Sequence, residues 1–174
     1  DGNLTQIIQD DNVEMTYTYD AWHNVETATT KEGYVYTFAY DDYGNNTSVS
    51  ITEKTENEVK KTMTSSATYT ENGNFMVSAT DALGNVTTYG YNLQTGLLEW
   101  VQFPEDTEAT RTEYTYDETG LIRTAISYDA DGIKESKRIT TYDEYGNELE
   151  SVAYAYASER IRYGETDEEP DSRT

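Results

Sequence analysis

The sequence predicts an all-β fold: successive antiparallel β-hairpins, about 12 residues per strand plus turn, forming a twisted, curved β-strip. Three observations predict it. A turn phrase, Tyr-Asp-x-x-Gly, recurs in phase along the chain. Between the turns, side chains alternate with a period of two, the spacing of a strand. Aliphatic residues are scarce: Ile, Leu, Val and Phe together number 27 of 174, whereas Tyr occurs 17 times and Thr 28 times. Tyr and Thr are strand formers with partly apolar side chains, suited to a pleated surface rather than a thick core.

The turns run in order from the N-terminus. Tyr19-Asp-Ala-Trp-His23 ends in His where other copies have Gly, and Gly33 closes the next turn. Tyr40-Asp41-Asp-Tyr-Gly44 is a clean copy, and Tyr69-Thr-Glu-Asn-Gly73 lacks the Asp. Asp81-Ala-Leu-Gly84 follows, then Tyr91-Asn-Leu-Gln-Thr-Gly96, one residue longer. Three more clean copies are Tyr116-Asp117-Glu-Thr-Gly120, Tyr128-Asp-Ala-Asp-Gly132 and Tyr142-Asp143-Glu-Tyr-Gly146. Turn ends are 10 to 14 residues apart except for steps of 29 and 24, each with a polar turn candidate near its middle, at 53–58 and 104–108.

Each phrase has a local physical reason. Asp or Asn at the first position of a type I turn accepts bonds from nearby backbone N–H groups, and Gly is favoured at the fourth. A Gly in the left-handed region then makes the bulge typical of longer hairpin loops. His tolerates that region better than most residues, so His23 is expected to be a turn residue. Between turns, Tyr34, Tyr36, Phe38 and Tyr40 share one strand face, and Ile122, Thr124, Ile126 and Tyr128 share another. No stretch has a helical apolar stripe. Residues 1–157 are expected to form the strip. Residues 158–174, with five acids between Glu165 and Asp171, are expected to be an acidic tail or linker, disordered towards its end.

The 34 acidic and 12 basic residues give a net charge of −22, which argues against nucleic acid and against anionic membranes as partners. The chain has no Cys, so neither disulfides nor thiolate metal sites hold it. Apolar runs are too short for a transmembrane helix, and membrane insertion is not expected. Like charge along open strand edges would oppose edge-to-edge association.

In the pattern Asp81-x-x-Gly84-Asn85-x-Thr87-x-Tyr89-x-Tyr91-Asn92, echoed by Thr112-x-Tyr114-x-Tyr116-Asp117-x-x-Gly120-Leu121, the chain resembles the YD-repeat or RHS-repeat family. That family includes bacterial Rhs toxins, wall-associated proteins of Gram-positive bacteria, shell components of insecticidal toxin complexes, and teneurins. The resemblance covers roughly residues 15–157. It implies a long β-strip that spirals into a shell, often around a toxic C-terminal domain, or that serves in surface contact. Asn follows the turn Gly at Asn45, Asn74, Asn85 and Asn147, where many relatives have Arg.

No catalytic residues are expected. Gly-x-Ser-x-Gly is absent around the single His23, and with 34 acids scattered through turns the chance proximity of two carboxylates is expected. A calcium site at Asp129-Ala-Asp131 or Asp41-Asp42 lacks EF-hand spacing, and these Asp residues have turn roles, so neither metal nor cofactor is expected. Trp22 and Trp100 are weak candidates for stacking on a glycan or a surface protein, against the alternative that the aromatics are structural ladders. Asp41, Gly44, Gly73, Asp81, Gly84, Gly96, Asp117, Gly120, Gly132, Asp143 and Gly146 are expected to be structural turn residues. The expected function is that of a non-catalytic structural segment of a large secreted or cell-surface bacterial protein, its partner being the rest of that chain or an enclosed domain. The alternative is a carbohydrate- or protein-binding module using the aromatic face.

Overall fold

The computed structural model describes residues 2–55, 58–104, 110–156 and 172–173. It divides into two compact units, Asp1–Val86 and Thr87–Thr174. The first contains β1 (Gln6–Gln9), β2 (Asn12–Tyr19), β3 (Val25–Thr30), β4 (Tyr34–Tyr40), β5 (Asn46–Thr55), β6 (Glu58–Tyr69) and β7 (Met76–Thr80). Each of these strands pairs antiparallel with the next in sequence. The chain continues into β8 (Val86–Tyr91), β9 (Leu98–Gln102), β10 (Arg111–Tyr116), β11 (Ile122–Tyr128), β12 (Lys134–Tyr142), β13 (Glu148–Ala155) and β14 (Ser172–Arg173). These too pair antiparallel in sequence order. There is no helix among the described residues.

The strands are a single layer. In the first unit one row across β2 to β6 reads Tyr17, Ala28, Tyr36, Ile51 and Met63. The adjacent row, which the pleat turns to the opposite face, reads Thr18, Thr27, Thr37, Ser50 and Thr64. Hydroxyls pair along the Thr face, Thr18 with Thr27 at 2.7 Å, Ser50 with Thr64 at 2.9 Å and Thr68 with Ser78 at 2.6 Å. Such cross-strand pairs contribute roughly 0.2–1 kcal/mol each, so the unit is stabilised by many small lateral terms. Ala28 is the first unit's one buried apolar side chain among the described residues. In the second unit Val101, Tyr128 and Tyr156 are buried together with the polar Thr110, Lys134 and Thr140. Thr110 is satisfied there, its hydroxyl donating to the Asp129 carbonyl at 2.6 Å and its N–H to Tyr128 O at 2.9 Å.

The closing residues of the turns all have positive φ, from +73° to +92° for the glycines at 33, 44, 73, 84, 96, 120, 132 and 146, and +69° for His23. The ladder slips by one residue just after the turns that close at 23, 44, 73, 96, 120, 132 and 146, whereas the Gly33 turn keeps an unbroken register. Thr18 pairs with Thr27 while Tyr19 pairs with Val25, leaving Glu26 as the bulged residue, and Arg123 is bulged in the same way between Thr124 and Ile122. One further turn has no Gly: β1 and β2 are joined through Asp10 and Asp11, with φ of +48° and +63°. Asp is among the few non-glycine residues that visit this region readily, yet the phrase lacks a Tyr or Gly to mark it.

Of the two polar turn candidates, the first falls where Thr55 of β5 pairs with Glu58 of β6, and residues 56–57 lie outside the described residues. The second, at 104–108, lies outside them except for Pro104, with Phe103 N–H donating to Thr110 O across it at 2.6 Å. Of the 158–174 segment, expected to be a tail, residues 158–171 and 174 lie outside the description; Ser172 and Arg173 pair with Ala155 and Tyr154.

Candidate functional site

The recurring element is the Asp turn. At Asp41 the carboxylate Oδ1 accepts the N–H groups of Tyr43 and Asn45, both at 2.9 Å, and Oδ2 accepts the Asn45 side-chain amide at 3.1 Å. Two backbone bonds close the loop, Gly44 N–H to Asp41 O and Asp41 N–H to Asn45 O, both 3.0 Å. Asp20, Asp81 and Asp143 repeat the arrangement with Asn24, Asn85 and Asn147. Asp117 and Asp129 keep the backbone donors, although Leu121 and Ile133 stand where the Asn would be. The copies without Asp substitute locally. The Thr70 hydroxyl accepts from Phe75 N–H at 3.1 Å, and Asn92 Oδ1 accepts from Gln94 and Thr95 N–H.

These bonds act on the carboxylates. Asp81 and Asp143 are held below the usual carboxylate range, first by the side-chain amides of Asn85 and Asn147 and then by the same residues' N–H groups. For Asp117 the Thr119 hydroxyl leads, followed by Leu121 N–H. At Asp20 and Asp41 desolvation pushes upward but is outweighed by the Asn24 and Asn45 donors. The Asn after the turn Gly is thus a donor to the turn Asp at 45, 85 and 147; Asn74 differs, its N–H donating to Asn72 Oδ1.

A second recurring contact ties each hairpin to the one before it. The Tyr preceding a turn donates its hydroxyl to a carbonyl at the start of the strand that left the previous turn on that side. Tyr40 reaches Val25 O at 3.0 Å and Tyr69 reaches Asn46 O at 3.1 Å. In the second unit Tyr116 reaches Leu98 O at 2.5 Å and Tyr142 reaches Ile122 O at 3.0 Å. Tyr19 does the same to Leu4 O at 2.6 Å. Because consecutive strands are antiparallel, alternate turns lie at opposite ends of the strands, so the clasp joins every second turn. Tyr128, whose turn is at the other end, instead bonds Glu113 Oε2 at 3.1 Å. The 12-residue spacing therefore conceals a two-strand structural repeat.

Folds built this way are known. No protein-family profile matches the sequence, and no curated protein matches it. Solved structures do. A segment in the crystal structure of TcdB2-TccC3-Cdc42 superposes with a TM-score of 0.63 at 20% identity, over 82% of this chain and 7% of that one. The Tc holotoxin pore of Photorhabdus luminescens gives 0.51 at 18% identity, over 83% and 9%. The crystal structure of TcdB2-TccC3 gives 0.52 at 18%, over 88% and 10%. The fold is that of the YD/RHS-repeat family. The chain spans a tenth or less of the length of these solved chains.

Within this strip the clasped turns also dock on one another. Asn45 donates its side-chain amide to Gly73 O at 2.8 Å, and the root of the Tyr43 side chain lies where a Cβ on Gly73 would be, 2.5 Å from Cγ. Between the Asp20 and Asp41 turns the strip leaves an open groove of about 620 Å³, lined by Trp22, Glu26, Phe38, Asp42 and Tyr43 among others. A corresponding groove of about 750 Å³ lies between the Asp117 and Asp143 turns in the second unit.

The two tryptophans are placed differently. Trp22 is 81% exposed at the tip of its turn and lines the first groove. Trp100 lies on β9 with its indole against Gly90, where a Cβ would run into the ring at Cε2 and Nε1, and Arg111 covers the ring at 4.5 Å from its centroid. Arg111 in turn pairs with Glu113 at 3.2 Å. Trp22 and Trp100 stand in different units. His23 lies beside Trp22 in the turn, 3.0 Å from the Asn3 side-chain amide. The Tyr clasp and the Arg111–Trp100 stack were not readable from the sequence, since the partners lie 11 to 23 residues apart with no fixed spacing.

Proposed function

We propose that this chain is a non-catalytic structural segment of a large secreted or cell-surface bacterial protein, forming part of a β-shell or display surface. The observation that carries the reading is the Tyr clasp, which fixes each hairpin to its predecessor and lets a strip extend without a thick core. Its partners on this reading are the rest of the same chain or an enclosed C-terminal domain. Residues 1–157 are the strip and 158–174 an acidic tail or linker, of which Ser172 and Arg173 pair back onto β13. Electron microscopy of the full-length protein tests it: hairpins continuing on both sides of this segment are expected. A hydrolase activity of the segment, lost on replacing one Asp, would refute it.

A second reading is favoured by one observation, the exposure of Trp22 and of Tyr43 (65%) beside the same groove. It makes the segment a carbohydrate- or protein-binding surface. A glycan array or a pull-down from surface extract, with binding lost on Trp22→Ala, supports it.

A further inference from the structure

The two grooves are the same site of the repeat, filled differently. Each is bounded by two turns joined by a Tyr clasp, and the positions correspond one by one. Tyr43 of the first groove corresponds to Tyr145 of the second, and Asp42 to Glu144, so both keep an exposed aromatic ring and an acid on one wall. The other wall differs. Trp22 is replaced by Thr119, and the bulged residue Glu26 is replaced by Arg123. The bulge is what brings this residue to the groove, since it adds one residue to the strand and re-aims the side chain. The second groove thus has a guanidinium, that of Arg123, in its own lining along with Glu118, Glu144 and Tyr145. The first has no Lys or Arg in its lining, and instead has Glu26, Asp42 and a second aromatic face.

We propose that the first groove binds a basic peptide segment, taking an Arg or Lys side chain into the place that Arg123 serves in the second. Three features of the groove recognise that chemistry. Aromatic faces attract a cation positioned over the ring, and Trp is the strongest of them. Glu26 and Asp42 supply carboxylates able to accept guanidinium or ammonium donors. The chain's net charge of −22 draws a cationic segment towards it. A neutral sugar would use the rings but leave Glu26 and Asp42 without a charge partner. This inference rests on the binding reading above and specifies its ligand.

The test is titration of the full chain with acetyl-triarginine amide, followed by NMR of the two Trp indole N–H signals. The Trp22 signal is expected to shift saturably and the Trp100 signal to stay. Glu26→Arg, which installs the residue of the second groove, is expected to weaken binding about tenfold, a loss of about 1.4 kcal/mol. The charge-matched control Asp131→Arg, at a turn outside the groove, is expected to retain the affinity. Equal weakening in both variants would mark long-range attraction alone and overturn the proposal. Cellohexaose separates the readings. If it shifts Trp22 and the peptide does not, a binding surface remains and its cationic ligand is refuted; if neither shifts it, both fall.

Discussion

Gly73 carries two demands at once, and they can be measured apart. Its φ is +73°, and a Cβ built on it would lie 2.5 Å from Cγ and 2.8 Å from Cβ of Tyr43. The approach is to the root of the Tyr side chain, which no rotamer change removes, so Gly73→Ala must displace the Asp41 turn or its own. Gly44 is the matched reference, with φ +83° and nothing within 4 Å of its Cβ position. Gly44→Ala therefore reports the backbone term alone, about 1–2 kcal/mol for an L-residue in the left-handed region. Gly73→Ala adds an overpacking cost of about 1–3 kcal/mol. Urea denaturation followed by circular dichroism should place the Gly73→Ala midpoint below that of Gly44→Ala. A double-mutant cycle with Tyr43→Ala should recover part of the difference, because removing the ring relieves the contacts at Cγ and Cδ2 and leaves only the approach to the Tyr43 Cβ. Equal midpoints for the two glycine variants, or no coupling to Tyr43, would refute the docking of one turn on the next.

Three further outcomes are expected. Tyr40→Phe removes the hydroxyl bonded to Val25 O and should cost about 0.5–1.5 kcal/mol in urea denaturation, whereas Tyr34→Phe, at the opposite end of the same strand, should cost less. The turn carboxylates have folded-state pKa values below their unfolded value, so their contribution is complete above about pH 4 and is lost as pH falls through the folded value. Protonation also relieves the repulsion of a −22 chain, so the difference between wild type and Asp81→Asn is the quantity to follow; it should shrink as pH falls below about 4, and a constant difference would contradict the assignment. Trp100→Ala, which strips the ring from Gly90 and Arg111, should destabilise by about 2 kcal/mol, while Trp22→Ala should stay within about 0.5 kcal/mol on thermal denaturation.

The hairpin unit was legible because everything that makes it is local. Asp41, Tyr43, Gly44 and Asn45 meet within five consecutive residues, and the strand alternation from Tyr34 to Tyr40 needs no distant partner. Even the degenerate copies keep their contacts local, with Thr70 accepting from Phe75 N–H and Asn92 from Gln94 and Thr95 N–H. Scarcity of aliphatics likewise announced a single layer. The Asp10–Asp11 turn escaped notice because two left-handed Asp residues leave no distinctive spacing.

The sequence by itself determined the strand, the turn and the family resemblance. Only the tertiary structure decided which turns are neighbours. A chain of antiparallel strands sends successive turns to opposite ends, so the turn beside Asp41 is not the next in sequence but the next but one. That is why Tyr40 clasps Val25, why Asn45 and Tyr43 settle on Gly73, and why Trp22 faces a groove with Tyr43 while Trp100 is covered by Arg111. Their separations in sequence vary with strand length, which local patterns do not record. Lateral packing between hairpins does.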